Sequence, residues 1–162
     1  MFKNSFNSNR VIAANKPDAV AFIKGGINNR ALHGVVTFTQ RPNGVIVTSE
    51  IFNLPKNESY NSAILAFHIH EGTKCSGNAD DEFADAGAHY NPYHYPHPYH
   101  AGDLLPLFSN NGYAWSSFLT NRFNVNEIIG RTVIIHSNPD DFTTQPSGNS
   151  GSKIACGKII KL

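Results

Sequence analysis

From Ala19 onward the apolar positions of the chain fall in short runs of strand length, several alternating with polar neighbours, and no long stretch repeats at helical period. The pattern predicts strands at Ala19 to Lys24, Ala31 to Gln40, Val45 to Leu54, Ala63 to His70, Tyr113 to Leu119, Thr132 to Ser137 and Ile154 to Ile160. Arg41-Pro42-Asn43-Gly44 and Ser109-Asn110-Asn111-Gly112 carry hairpin chemistry, since Asn and Gly accept the positive φ of tight turns. Antiparallel neighbours follow. Two stretches, Glu71 to Leu107 and Asn138 to Ser152, lack strand pattern and run longer than structural connections usually do, which marks them as functional loops. The reading is all-β and antiparallel, with no internal repeat.

Composition narrows this. At 162 residues the chain can bury one substantial core, and no break in composition divides it. Only 15% of residues are charged and the formal net charge is +1, so there is no basic stripe for nucleic acid and no cationic face for anionic membrane. No apolar run approaches the roughly 18 residues of a membrane span. Near the start, Val11 to Ala14 is too short for a signal-peptide core, from which a cytoplasmic location is expected. Cys75 and Cys156 are too few for a disulfide scaffold and form no CxxC pair; their number alone leaves free thiols and a disulfide equally open.

The chemistry sits in the histidines. Six of the eight, His68, His70, His89, His94, His97 and His100, lie between positions 68 and 100, and Asp103 follows. Successive strand side chains point to opposite faces, so His68 and His70 share a face while Phe67 and Ile69 turn to the other. A lone His-x-His is more often packing than a ligand pair; the rest of the cluster reverses that reading. His97-x-x-His100-x-x-Asp103 places three donors in one compact loop, a usual zinc shell, and a loop so poor in apolar area would draw its order from metal. His136 ends the apolar run Val133-Ile134-Ile135, where a buried polar ring needs a partner. A site built from imidazoles alone suits copper as well as zinc.

Five segments in order carry a family resemblance: Phe67-His68-Ile69-His70-Glu71, Gly87-Ala88-His89-Tyr90-Asn91-Pro92, His100-Ala101-Gly102-Asp103-Leu104, Ile129-Gly130-Arg131-Thr132 leading to His136, and Gly148 to Gly157 around Cys156. They resemble the signatures of the copper,zinc superoxide dismutases. The resemblance spans about Ala19 to Ile160 and implies an N-terminal extension, 1–18, before one domain, 19–162. The fold it implies is a Greek-key antiparallel β-sandwich, a flattened eight-stranded barrel with long metal-binding and channel loops. The activity it implies is disproportionation of superoxide to dioxygen and hydrogen peroxide at a histidine-bridged copper and zinc pair.

Residue by residue, the resemblance makes His68, His70, His89 and His136 copper ligands and His89, His97, His100 and Asp103 zinc ligands, with His89 shared. Asp140 would join His68 to His97 by hydrogen bonds, Cys75 and Cys156 would form a disulfide, and Arg131 would brace the disulfide loop through backbone carbonyls. His89 and Lys153 take catalytic roles, Lys153 as the cation that steers superoxide. A homodimer and a copper chaperone are the implied partners. The chain departs from the family in the insert Asn78 to Ala86, in the short spacing of His97 and His100, which admits His94 as a rival for the zinc position held by His97, and in a lysine where an active-site arginine is usual. Such a lysine keeps the charge and loses the planar donor fork. The competing reading is a non-catalytic copper-binding, storage or decoy module, which typically lacks a ligand.

Overall fold

A computed structural model describes residues 16–56, 59 and 62–162. The proposed extension, 1–18, lies almost wholly outside the described residues. Nine strands run β1 (Ala19–Gly25), β2 (His33–Arg41), β3 (Gly44–Phe52), β4 (Ser62–Leu65), β5 (Phe67–His70), β6 (Leu107–Asn110), β7 (Ala114–Thr120), β8 (Thr132–His136) and β9 (Lys153–Lys161). Every strand pair is antiparallel. Seven strands form one curled sheet, a half-barrel in the order β5-β8-β9-β1-β2-β3-β7, while β4 and β6 pair separately.

The alternation read from sequence decides which face is buried. In β3, Val45, Val47, Ser49 and Ile51 point inward and their neighbours are only partly covered; β2 contributes Val36 and Phe38 from the opposite register. These pack with Phe67, Ile69, Leu107, Val133 and Ile135 into one core. Burying a side chain of this size contributes about 2 kcal/mol. At Arg41–Gly44 the hairpin closes β2 onto β3 with Gly44 at φ 139°, as its residues predict. At Asn110–Tyr113 the turn also forms, with Asn111 and Gly112 both at positive φ, but its two arms then part into different sheets.

Two expectations of strand bounds are corrected. The run Ala63 to His70 is two strands: at Ala66 the backbone leaves the β4–β6 pair and bonds instead to Asn138 and His136. Leu107–Asn110, read as the end of a loop, is a strand, its two inward side chains Leu107 and Ser109 being too few to show a pattern. Among the described residues the strands form a seven-plus-two array, an all-β antiparallel fold as expected. Between β7 and β8 a single helical turn, Val125–Ile128, starts where the Asn124 amide donates to Glu127 Oε2.

Candidate metal centre

β5 and β8 are neighbours, with His68 opposite Ile134 and His70 opposite Thr132. Phe67, Ile69, Val133 and Ile135 fill the core, so the imidazoles of His68, His70 and His136 are turned to the other face of the sheet. The long loop after β5 returns beside it: His89 bridges to His70 and Asp103 to His68. Seven donors separated by up to 68 positions thereby form two groups, His68, His70, His89 and His136, and His89, His97, His100 and Asp103, with His89 in both. All seven are buried. His94 is exposed and lies in neither group among the described residues; His97, three positions on, is buried in the second.

Hydrogen bonds fix which ring atom each histidine presents. Asp140 accepts from His68 Nε2 at 2.8 Å and from His97 Nε2 at 2.9 Å, which leaves the Nδ1 lone pair of both rings pointing into the site. His70 Nδ1 donates to the Gly87 carbonyl and His136 Nδ1 to that of Gly151, so these rings present Nε2, and the two Nε2 atoms stand 3.2 Å apart. His68 Nδ1, His89 Nε2 and His97 Nδ1 are buried with no hydrogen-bond partner. A buried ring nitrogen without a partner costs about 1–3 kcal/mol, and a cation at each group would repay it.

The spacing of the second group matches a tetrahedral ion. Asp103 oxygens lie 2.8 Å from His89 Nδ1, 3.1 Å from His97 Nδ1 and 3.3 Å from His100 Nδ1, and the last is 3.4 Å from His89 Nδ1. Donors about 2.0 Å from a zinc ion at tetrahedral angles stand about 3.3 Å from one another. The first group offers only imidazole, the donor set that accommodates copper. Burial lowers the pKa of His68 to about 4 and that of His136 to about 3, which keeps both rings neutral and their lone pairs available near pH 7. Burial alone would raise Asp140, but hydrogen bonds from His68, the Phe142 amide and His97 outweigh it and hold the carboxylate ionised.

The remaining expected residues fall around this centre. Cys75 and Cys156 are joined, tying the loop after β5 to β9. Arg131 donates to the carbonyls of Glu71 and Glu127 and stacks 3.8 Å over the Tyr90 ring, bracing the base of that loop. Lys153, the first residue of β9, lines a cleft of about 870 Å³ whose walls also include His70, His89 and His136. Its ammonium is not free: it pairs with Asp81 of the insert.

Gln145 and Arg122 belong to the site and had no signal in the sequence, because their partners are backbone atoms distant along the chain. The Gln145 side chain accepts from the His97 amide at 2.9 Å and donates to the His97 carbonyl at 2.7 Å. Arg122 Nη1 donates to the carbonyls of Pro98, His100 and Asp103. Gly148, at φ 67°, lets the channel loop pass over Asp140, since a Cβ there would strike the Asp140 carboxylate and lie 2.6 Å from His97 Nε2. Replacing Gln145 with alanine is expected to loosen the His97 main chain and so weaken the binding of a zinc ion at the Asp103 group, with the four-histidine group unaffected. Competition against a chromophoric zinc chelator measures this, and an unaltered zinc affinity would show that His97 is held without the clamp.

An all-β half-barrel with two buried four-donor groups sharing one imidazole defines a dinuclear metalloprotein. Residues 32–159 match the model of the copper/zinc superoxide dismutase family. A Cu-Zn superoxide dismutase of Legionella pneumophila is 34% identical over 134 residues, covering 78% of this chain and 76% of the relative. One of Schizosaccharomyces pombe is 35% identical over 157 residues, covering 87% and 96%. Among solved structures, a Cu/Zn superoxide dismutase from Brucella abortus superposes with a TM-score of 0.73 over 86% of this chain and 98% of that one, at 23% identity, a likeness of fold. The chain belongs to the copper/zinc superoxide dismutase family.

Proposed function

We propose that His68, His70, His89 and His136 hold copper, that His89, His97, His100 and Asp103 hold zinc, and that the shared site disproportionates superoxide to dioxygen and hydrogen peroxide. The observation that carries this reading is the set of three buried, partnerless ring nitrogens, on His68, His89 and His97, all belonging to the two donor groups. Copper, when bound, supplies the one-electron redox couple, and zinc supplies a fixed charge beside His89. The protein supplies geometry and proton handling. Asp140 holds His68 and His97 in the tautomers that expose Nδ1. His89 keeps Nδ1 within the Asp103 group and turns Nε2 toward the other three imidazoles, so Nε2 is the atom able to take up and return a proton. The cleft over His70, His89 and His136 admits a small anion, and Lys153 lines it.

A copper-storage or decoy module is the lesser reading, since such a domain can drop a donor and here all seven are present and buried. The family resemblance further supports a homodimer and a copper chaperone as partners. The deciding experiment is metal analysis of the purified protein together with a superoxide-consumption assay. One copper and one zinc per chain with rapid consumption is expected; both metals bound and superoxide untouched would make the chain a binding module. His97→Ala should empty or weaken zinc while His94→Ala leaves both metals in place. The reverse result would transfer the zinc role to His94.

A further inference from the structure

The insert that follows Cys75 is built as a rigid wall of the cleft. Asn78 Oδ1 accepts from the amides of Asp80 and Asp81, Asp81 Oδ1 accepts from the Phe83 amide, and Glu82 Oε2 accepts from the Ile27 amide across the cleft. Phe83 and Ala86 are buried against Ile134 and Cys156, which locks the insert to the back of β8 and β9. Held in this way, Asp81 directs its other oxygen, Oδ2, at the ammonium of Lys153, whose side chain is only 16% exposed. Burial alone would raise the Asp81 pKa, but the hydrogen bonds from Lys153 and the Phe83 amide together with the Lys153 charge outweigh it, so the partner is a carboxylate.

The charge of the cleft follows. Of the residues lining the cleft, Glu71, Asp80, Asp81 and Glu82 are acidic and Lys153 alone is a lysine or arginine, so four negative charges against one positive give −3 with histidines neutral. A cation whose charge is matched by an adjacent carboxylate leaves only a dipole, whose field falls off faster with distance than that of a free charge.

Resting on the reading that copper occupies the four-histidine group, we propose that Asp81 sets the anion affinity of the copper mouth: it anchors Lys153 and cancels its charge, so the insert acts as a brake on anion entry. Asp81 is a positioning residue: it lines the cleft and acts on an entering anion through Lys153. Asp81→Asn is the informative variant, because Asn keeps the oxygen that accepts from the Phe83 amide, while its NH2 replaces the oxygen that accepts from Lys153 and so removes both the charge and the anchor.

The test uses the copper- and zinc-loaded protein and azide, a monoanion that binds Cu(II) without turnover and is followed by visible absorption. Asp81→Asn should tighten azide binding and raise kcat/KM for superoxide by about threefold at low salt, with both gains shrinking as the Debye length shortens. The double variant Asp81→Asn with Lys153→Gln should lose the gain, which assigns it to Lys153. Unchanged or weaker azide binding in metal-matched Asp81→Asn overturns the proposal. Should that variant load poorly, the wild type decides alone: azide affinity that falls steeply with added salt would mean that Lys153 acts as a free cation, and that Asp81 does not cancel it. Tighter azide binding without any superoxide consumption would leave the role of Asp81 standing and reject the enzymatic reading instead.

Discussion

His136→Ala should release copper and abolish superoxide disproportionation while zinc remains bound. His136 belongs to the four-imidazole group alone, whereas the Asp103 group is complete without it. Its Nε2 stands 3.2 Å from His70 Nε2, and its Nδ1 is turned to the Gly151 carbonyl, so Nε2 is the atom it presents to that group. Losing a partner that merely orients a ligand costs about tenfold to a hundredfold in metal affinity or activity, so losing the ligand itself should exceed about a hundredfold. Metal analysis beside the rate assay reads both halves of the expectation. Copper retained in full, or zinc lost together with copper, would mean that the two groups do not work as separate sites.

Reducing or deleting the Cys75–Cys156 bond should be the most destabilising change away from the donors. The bond closes a loop of 81 positions, and on chain-entropy grounds the cross-link is worth about 4 kcal/mol. For a domain of this size that corresponds to a Tm lower by about 10–15 °C. Cys75→Ser also frees the segment that Arg131 and Thr132 hold through the carbonyls of Glu71 and Gly72, close to His70. Calorimetry of Cys75→Ser beside the oxidised wild type, each with metal removed, separates the covalent contribution from that of the ions. A Tm within about 2 °C of wild type would show that β9 and the brace from Arg131 hold the loop without the bond.

The sequence by itself determined the class of fold and offered the candidate donors, with one position open between His94 and His97. Alternation in β2 and β3 needs no tertiary knowledge to read, because the two faces of a strand differ in their access to water and the residues record it one by one. His68 and His70 were legible for the same reason, and His97-x-x-His100-x-x-Asp103 because its donors are close in the chain. Tertiary structure alone decided the rest. Ala63 to His70 reads as one apolar run, and only the partners available at Ala66 divide it between two sheets. That His97 is buried beside His89, His100 and Asp103 while His94 is exposed depends on which side of a loop ordered by backbone contacts faces the sheet. Gln145, Arg122 and Asp81 were invisible since a side chain that bonds to backbone atoms or to a lysine 72 positions away leaves no periodicity, only a geometry that exists once the chain has closed.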